Sequence, residues 1–272
     1  MRLCTYINNT STQAGIIMDN QLLPLPENDV KQVIEKYTLT RLMKFVKDFP
    51  GDYIDLHRVE VTSPYLNPPK IWGIGLNYSD HAEDLAVESP RDEPASFMKP
   101  ATSITPPGGP IIIPLQSNKV TGEGELGIII GKRCKNVSVT DASKVIFGYT
   151  TIIDVTAEDI LKRNPRYLTM SKSFDTFFCF GPDIVTSNMI NDLDSIVVRT
   201  VLNDSVIVEN LVENMTFRPM ELVSFHSKIM TLEPGDIIST GTPGALRISS
   251  GDVIKCQVDN IGSVSSKVID FR

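Results

Sequence analysis

Three carboxylates stand where they could act together. Glu123 and Glu125 lie in the stretch Val120-Thr121-Gly122-Glu123-Gly124-Glu125-Leu126-Gly127-Ile128-Ile129-Ile130, directly before a strongly apolar run. If they belong to a strand there, its period of two puts both on one face. Gly122, Gly124 and Gly127 leave room for close approach of backbone or ligand. Like charges side by side are costly unless something positive sits between them. A third carboxylate, Asp154, ends the apolar run Thr151-Ile152-Ile153. Thr156, with Asp159 three positions later, reads as a helix N-cap, so Asp154 is expected at a strand-to-helix junction. Three converging carboxylates suit a hard divalent cation, Mg²⁺ or Mn²⁺, with positions left open for water. The plainer reading is that Glu123 and Glu125 only solvate an edge strand.

The elements that must carry these groups are mostly short strands. From Ile71 onward β-branched runs recur at 111–113, 126–130, 150–153, 196–202, 236–239 and 253–258, punctuated by Pro and Gly. Helical spacing is expected over 79–86, 157–163 and near 218–230. Long helices do not alternate with the strands, so a doubly wound fold is disfavoured and a β-rich barrel or sandwich with peripheral helices is favoured. The first 65 residues read as a small separate α/β unit. Short strands are expected at 3–7, 15–18 and 21–25, and helical spacing runs from Asp29 to Phe49. Ser63-Pro64-Tyr65-Leu66-Asn67-Pro68-Pro69 reads as a linker, because proline can neither continue a helix nor donate to a sheet. The division expected is therefore 1–65 and 70–272. No internal repeat or low-complexity tract is present.

Composition narrows the function further. The chain has 272 residues, 41% of them hydrophobic and 22% charged, enough for a buried core. The formal net charge of −7 disfavours a nucleic-acid or anionic-membrane surface. No apolar run approaches the roughly 18 residues of a membrane span, and Met1 to Gln13 lack the apolar stretch of a secretory signal. Cys4, Cys134, Cys179 and Cys256 form no CxxC pair. They are expected as reduced thiols in the cytoplasm, with no zinc site. Gly73-Ile74-Gly75 begins a dinucleotide-type GxG, but Tyr78 occupies the third glycine position.

Six ordered segments carry a family resemblance. They are Gly75-Leu76-Asn77-Tyr78-Ser79-Asp80-His81-Ala82-Glu83, Phe97-Met98-Lys99-Pro100, Glu123-Gly124-Glu125-Leu126, Asp154-Val155-Thr156-Ala157, Lys172-Ser173-Phe174-Asp175-Thr176-Phe177 and Pro234-Gly235-Asp236-Ile237-Ile238-Ser239-Thr240-Gly241-Thr242-Pro243. Together, over about residues 70 to 270, they resemble the fumarylacetoacetate hydrolase family. The resemblance implies an α+β, β-rich roll, a buried Mg²⁺ or Mn²⁺, and a homodimer. It also implies Glu123, Glu125 and Asp154 as metal ligands and Lys172 as a cation beside the metal that contacts substrate. His81 is implied as general base, with Lys99 and Thr240 as substrate contacts. If 79–86 is helical, Asp84 lies three positions beyond His81 on the same face and is the first choice to orient its imidazole; Glu83 is the second.

Family substrates are mostly 1,3-dicarbonyl acids such as acylpyruvates and oxaloacetate. Their difficult step makes a carbanion beside a carbonyl, which a metal-held enolate accommodates. The leading expectation is a metal-dependent hydrolase of a C–C bond in such an acid, with His81 taking a proton from water. The same enolate serves a decarboxylase or a keto–enol isomerase. A different class is a metal-binding homologue without catalysis, acting as a binding or structural subunit. His57 reads as a surface residue and His226 as packing.

Two positions depart from the family pattern. Many active relatives carry arginine and glutamine where this chain has Glu158 and Leu161. Glu158 could simply pair with Lys162 on an exposed helix face. The functional reading is an altered or less polar substrate, with Arg166 restoring the missing positive charge.

Overall fold

The computed structural model describes residues 1–79 and 89–272. The first 65 residues contribute β1 (Arg2–Asn8), β2 (Ser11–Met18), β3 (Gln21–Pro24), β4 (Ile54–Asp55) and β5 (Glu60–Thr62). The rest contributes β6 (Ile71–Gly75), β7 (Ala95–Lys99), β8 (Ile104–Thr105), β9 (Pro110–Ile113), β10 (Val120–Ile130), β11 (Ile146–Ala157), β12 (Phe178–Thr186), β13 (Val197–Leu202), β14 (Ser205–Leu211), β15 (Ile237–Ser239), β16 (Ala245–Ile248), β17 (Val253–Val258) and β18 (Gly262–Asp270). The architecture is α+β and strand-rich, as the sequence pattern indicates.

One sheet runs β4-β3-β2-β1-β12-β11-β10-β15-β6-β7, with β5, β8 and β16 as side branches. The other runs β14-β13-β17-β18-β9. β10 is therefore not an edge strand, and all eleven of its residues are buried. All twelve residues of β11 are buried as well. Strands covered on both faces read as near-continuous apolar runs, which is why β-branched residues crowd both segments. Leu126, Ile128, Ile153 and Val155 share one core with Val198, Ile254, Cys256 and Val264 of the second sheet.

β1 pairs with β12 through Arg2↔Val185, Leu3↔Ile184 and Cys4↔Asp183, so the first strands extend the large sheet. Leu3, Ile16, Val30 and Leu42 share a core with Ile129, Ile152, Phe178 and Phe180. The segment expected as a linker is packed rather than free: the Pro64 carbonyl accepts from Thr5 Oγ1 at 2.7 Å and from the Val30 amide at 3.1 Å. Tyr65 is buried against Phe180, with ring centroids 5.2 Å apart.

The helical spacing over 29–49 resolves into two helices, Val30–Lys36 and Leu39–Asp48. Tyr37 is extended, and the Thr38 hydroxyl accepts the Arg41 amide, so a new N-cap interrupts the pattern. The helix Glu158–Arg163 starts after Ala157 without a side-chain cap, because β11 continues through Thr156. The third expected helix is Pro219–Ile229. Among the described residues no helix is long and apolar enough to cross a membrane.

Candidate metal centre

The register of β10 and β11 sets Glu123 directly opposite Asp154. Glu125, two positions along, shares the face of Glu123. One oxygen from each of Glu123, Glu125 and Asp154 lies within 4.8 Å of the others. The three residues are 8%, 1% and 0% exposed, so their charges must be compensated by protein groups or an ion.

Most of that compensation is visible. Lys172, at the end of the helix Leu168–Lys172, donates to Glu123 Oε2 at 2.9 Å and to Asp154 Oδ2 at 2.8 Å. Lys99, the last residue of β7, donates to Asp154 Oδ1 at 2.6 Å. The same oxygen accepts the Val155 amide at 2.8 Å. Glu123 Oε1 accepts the hydroxyl of Thr156. Glu125 Oε2 accepts Ser239 Oγ at 2.5 Å and the Gly241 amide at 2.8 Å. Glu125 Oε1 receives no hydrogen bond from a described residue.

The electrostatics follow from these contacts. Burial alone would raise the Asp154 pKa, but Lys172 and Lys99 hold it below the usual carboxylate value. Burial would lower that of Lys172, but Asp154, Glu123 and Glu125 overcome it and raise it, so the ammonium persists. For Lys99 burial wins, aided by the charge of Lys172, and its pKa falls. Glu125 accepts no hydrogen bond from a described lysine, and burial, with Asp154 and Glu123 adding to it, outweighs the charge of Lys172 and pushes its pKa up to about 8. A cation at Oε1 would supply the positive charge this carboxylate lacks. The donors among the described residues are all oxygens, which suits Mg²⁺ or Mn²⁺ better than a softer metal, so these residues fit the ion.

The structure brings Glu123, Glu125, Asp154, Lys99 and Lys172 together. Lys99, expected against substrate, is spent on Asp154. Thr240 lies beside the group, but its hydroxyl donates to the Leu126 carbonyl at 2.9 Å. Arg166 is exposed on the turn Pro165–Tyr167 and makes no ion pair with a described residue. Glu158 is paired with Lys162 at 2.5 Å and also with Lys119 at 2.7 Å, and it is mostly buried rather than on an open face. His81, Glu83 and Asp84 lie outside the described residues. His57 is exposed, whereas His226 is fully buried, with Nδ1 2.7 Å from the Leu222 carbonyl and its ring tilted at 53° against Trp72. Thr156 and Ser239 are further carboxylate partners that no spacing in the sequence singles out. Ser239 stands within the Pro234–Pro243 motif, and Thr156 lies two residues beyond Asp154 on the same strand.

A model of the fumarylacetoacetate (FAA) hydrolase C-terminal family matches residues 70–269. The mitochondrial oxaloacetate tautomerase fahd2 of Xenopus laevis is 38% identical over 220 residues, covering 78% of this chain and 69% of the relative. Among solved structures, the 5-carboxymethyl-2-hydroxymuconate delta-isomerase of Mycobacterium smegmatis is 30% identical with a TM-score of 0.82, covering 100% of both chains. The maleylpyruvate hydrolase of Sphingobium sp. SYK-6, in complex with manganese(II) and pyruvate, is 26% identical with a TM-score of 0.84, again over 100% of both chains. The family match takes in both strands that bear the carboxylates and both lysines that meet them, and this chain belongs to the fumarylacetoacetate hydrolase family.

Proposed function

We propose that this chain is an enzyme that interconverts the keto and enol forms of a small 2-oxo diacid, using Glu123, Glu125 and Asp154 to hold Mg²⁺ or Mn²⁺. The observation that carries the reading is the meeting of three buried carboxylates with two buried lysines, in which Glu125 Oε1 alone lacks a partner among the described residues. The likeness to an oxaloacetate tautomerase and to a muconate isomerase supports proton movement as the reaction.

When an ion holds all three carboxylates ionised and both lysines are ammoniums, the side chains by themselves sum to one negative charge. A doubly charged ion turns that into one positive charge, which favours an anionic substrate. The ion would supply Lewis-acid stabilisation of negative charge on a substrate oxygen. Lys172, kept protonated by its carboxylates, would donate to a substrate oxygen. Lys99 would fix the direction of Asp154. His81, oriented by Asp84 or Glu83, is assigned to move the proton at the carbon beside the carbonyl.

A second reading, hydrolysis of a C–C bond in a 1,3-dicarbonyl acid, is supported by the likeness to a maleylpyruvate hydrolase. There His81 would take its proton from water. The test uses the ultraviolet absorbance of enolic oxaloacetate and of an acylpyruvate, each with Mg²⁺, Mn²⁺ or EDTA, followed by product analysis. Faster keto–enol equilibration without net consumption, abolished by EDTA, is the expected result. Consumption of the acylpyruvate to two acids would select hydrolysis, and release of CO₂ would select decarboxylation. No acceleration of any substrate by metal-loaded protein would overturn the enzymatic reading.

A further inference from the structure

The face of β10 opposite the carboxylates is held by a residue of the other sheet. β10 pairs with β16 through Val120–Glu123 and with β15 through Gly127–Ile129. Between those ladders, 124–126 has no strand partner on that edge among the described residues. The Leu126 carbonyl is met there by the Thr240 amide at 3.0 Å and by its hydroxyl. The Gly124 amide donates to Thr200 Oγ1, on β13, at 3.0 Å. Thr200 is fully buried, so no bulk water can replace its hydroxyl.

The approach is close enough to require glycine. A Cβ on Gly124 would lie 2.8 Å from Thr200 Oγ1 and 2.9 Å from the Arg199 carbonyl. A Cβ on Gly122 would lie 2.2 Å from Ile254 Cδ1, on β17 of the same second sheet. Gly122 and Gly124 thus face the second sheet, and the alternation of the strand turns Glu123 and Glu125 the other way. Gly124 sits between the two carboxylates, so a rotation of its peptide would move both.

The geometry points to Thr200 as a positioning residue for the carboxylate pair. Its hydroxyl pins the peptide between Glu123 and Glu125 and so sets their spacing toward a divalent cation. The inference rests on the metal reading above. The Thr200 hydroxyl makes no hydrogen bond to the carboxylates and acts through Gly124. Groups that orient metal ligands typically change affinity by about 10–100-fold when removed.

The test is Mn²⁺ binding to EDTA-stripped protein, followed by calorimetry and by the electron paramagnetic resonance of free Mn²⁺. Thr200→Val, Thr200→Ser and wild type are compared, with thermal unfolding in EDTA confirming that each is folded. Thr200→Val should lose about tenfold in affinity, and Thr200→Ser, which keeps the acceptor, should restore it. If Thr200→Val does not fold, Thr200→Ala removes the same hydroxyl without placing a methyl group at its position. Wild-type affinity in the hydroxyl-free variant, or equal losses in the serine and hydroxyl-free variants, overturns the proposal alone. A wild-type chain that binds no Mn²⁺ overturns the metal reading and this one with it.

Discussion

Glu123 and Asp154 face each other across the β10–β11 ladder, two like charges at directly opposed positions. Such a pair is destabilising unless a cation joins it. Lys172 does so, at 2.9 Å and 2.8 Å. Removing one partner of a buried ion pair costs about 3–5 kcal/mol, because the remaining charge is left uncompensated. Lys172→Met should therefore be destabilised by that order in urea unfolding with EDTA present. Added Mg²⁺ should recover more stability in the variant than in wild type, since an ion among the three carboxylates brings positive charge to Glu123 and Asp154. Equal stability of the two chains in EDTA would show that the bridge contributes nothing.

The carboxylate face was legible in the sequence because two physical patterns coincide there. Glu-x-Glu has the strand period, and the intervening glycines mark a close approach. Asp154 follows from the apolar run that precedes it. What could not be read is the pairing across long chain separations. No period places Lys99 on Asp154, 55 residues away, or Thr200 on Gly124, 76 residues away. Thr156 misled for a local reason. Thr followed by Asp three positions later has the composition of a cap, but its hydroxyl is taken by Glu123 and the strand runs on. In the fold, the break at Tyr37 and Thr38 was hidden because apolar spacing continues through it.

Glu125 offers a test of ligand identity. Ser239 and Gly241 fix one of its oxygens, and the other has no described donor. Glu125→Ala should lose Mn²⁺ affinity by more than the roughly 10–100-fold expected for an orienting group. His81→Ala should keep the metal and lose turnover. Full metal content in Glu125→Ala, by elemental analysis, would remove this residue from the ligand set.

Glu158 should give the stability a pH dependence. Burial acts to raise its pKa, but hydrogen bonds and charge from Lys119 and Lys162 hold it below the usual value. The unfolded chain then binds the proton more readily than the folded one. The stabilisation is present above the ordinary glutamate pKa and fades as pH falls through the lowered folded-state value. The lysines are 39% and 60% exposed, so the effect is about 0.5–1 kcal/mol after screening. Glu158→Gln should be less stable than wild type at neutral pH by that amount. The gap should begin to narrow as pH falls to the ordinary glutamate pKa and close once pH has passed below the lowered folded-state value. A gap that stays constant with pH would mean that the contribution is packing rather than charge.

Asn77 ties the end of β6 to the turn that serves Glu125. Its Nδ2 donates to the Thr240 carbonyl at 2.7 Å and to the Phe217 carbonyl at 3.0 Å, and its Oδ1 accepts the Phe217 amide at 2.8 Å. The next residue of the turn, Gly241, has a φ of +94°, and a Cβ there would lie 2.8 Å from Asn77 Cβ. The turn is therefore fixed from both sides, by its own backbone and by this side chain. Asn77→Ala strands the buried Thr240 carbonyl and the half-buried amide and carbonyl of Phe217, and should cost about 2–3 kcal/mol in urea unfolding. Because the Gly241 amide holds Glu125 Oε2, the same variant should also weaken Mn²⁺ binding. Loss of stability with unchanged Mn²⁺ affinity would confine Asn77 to the fold and leave Ser239 to orient Glu125.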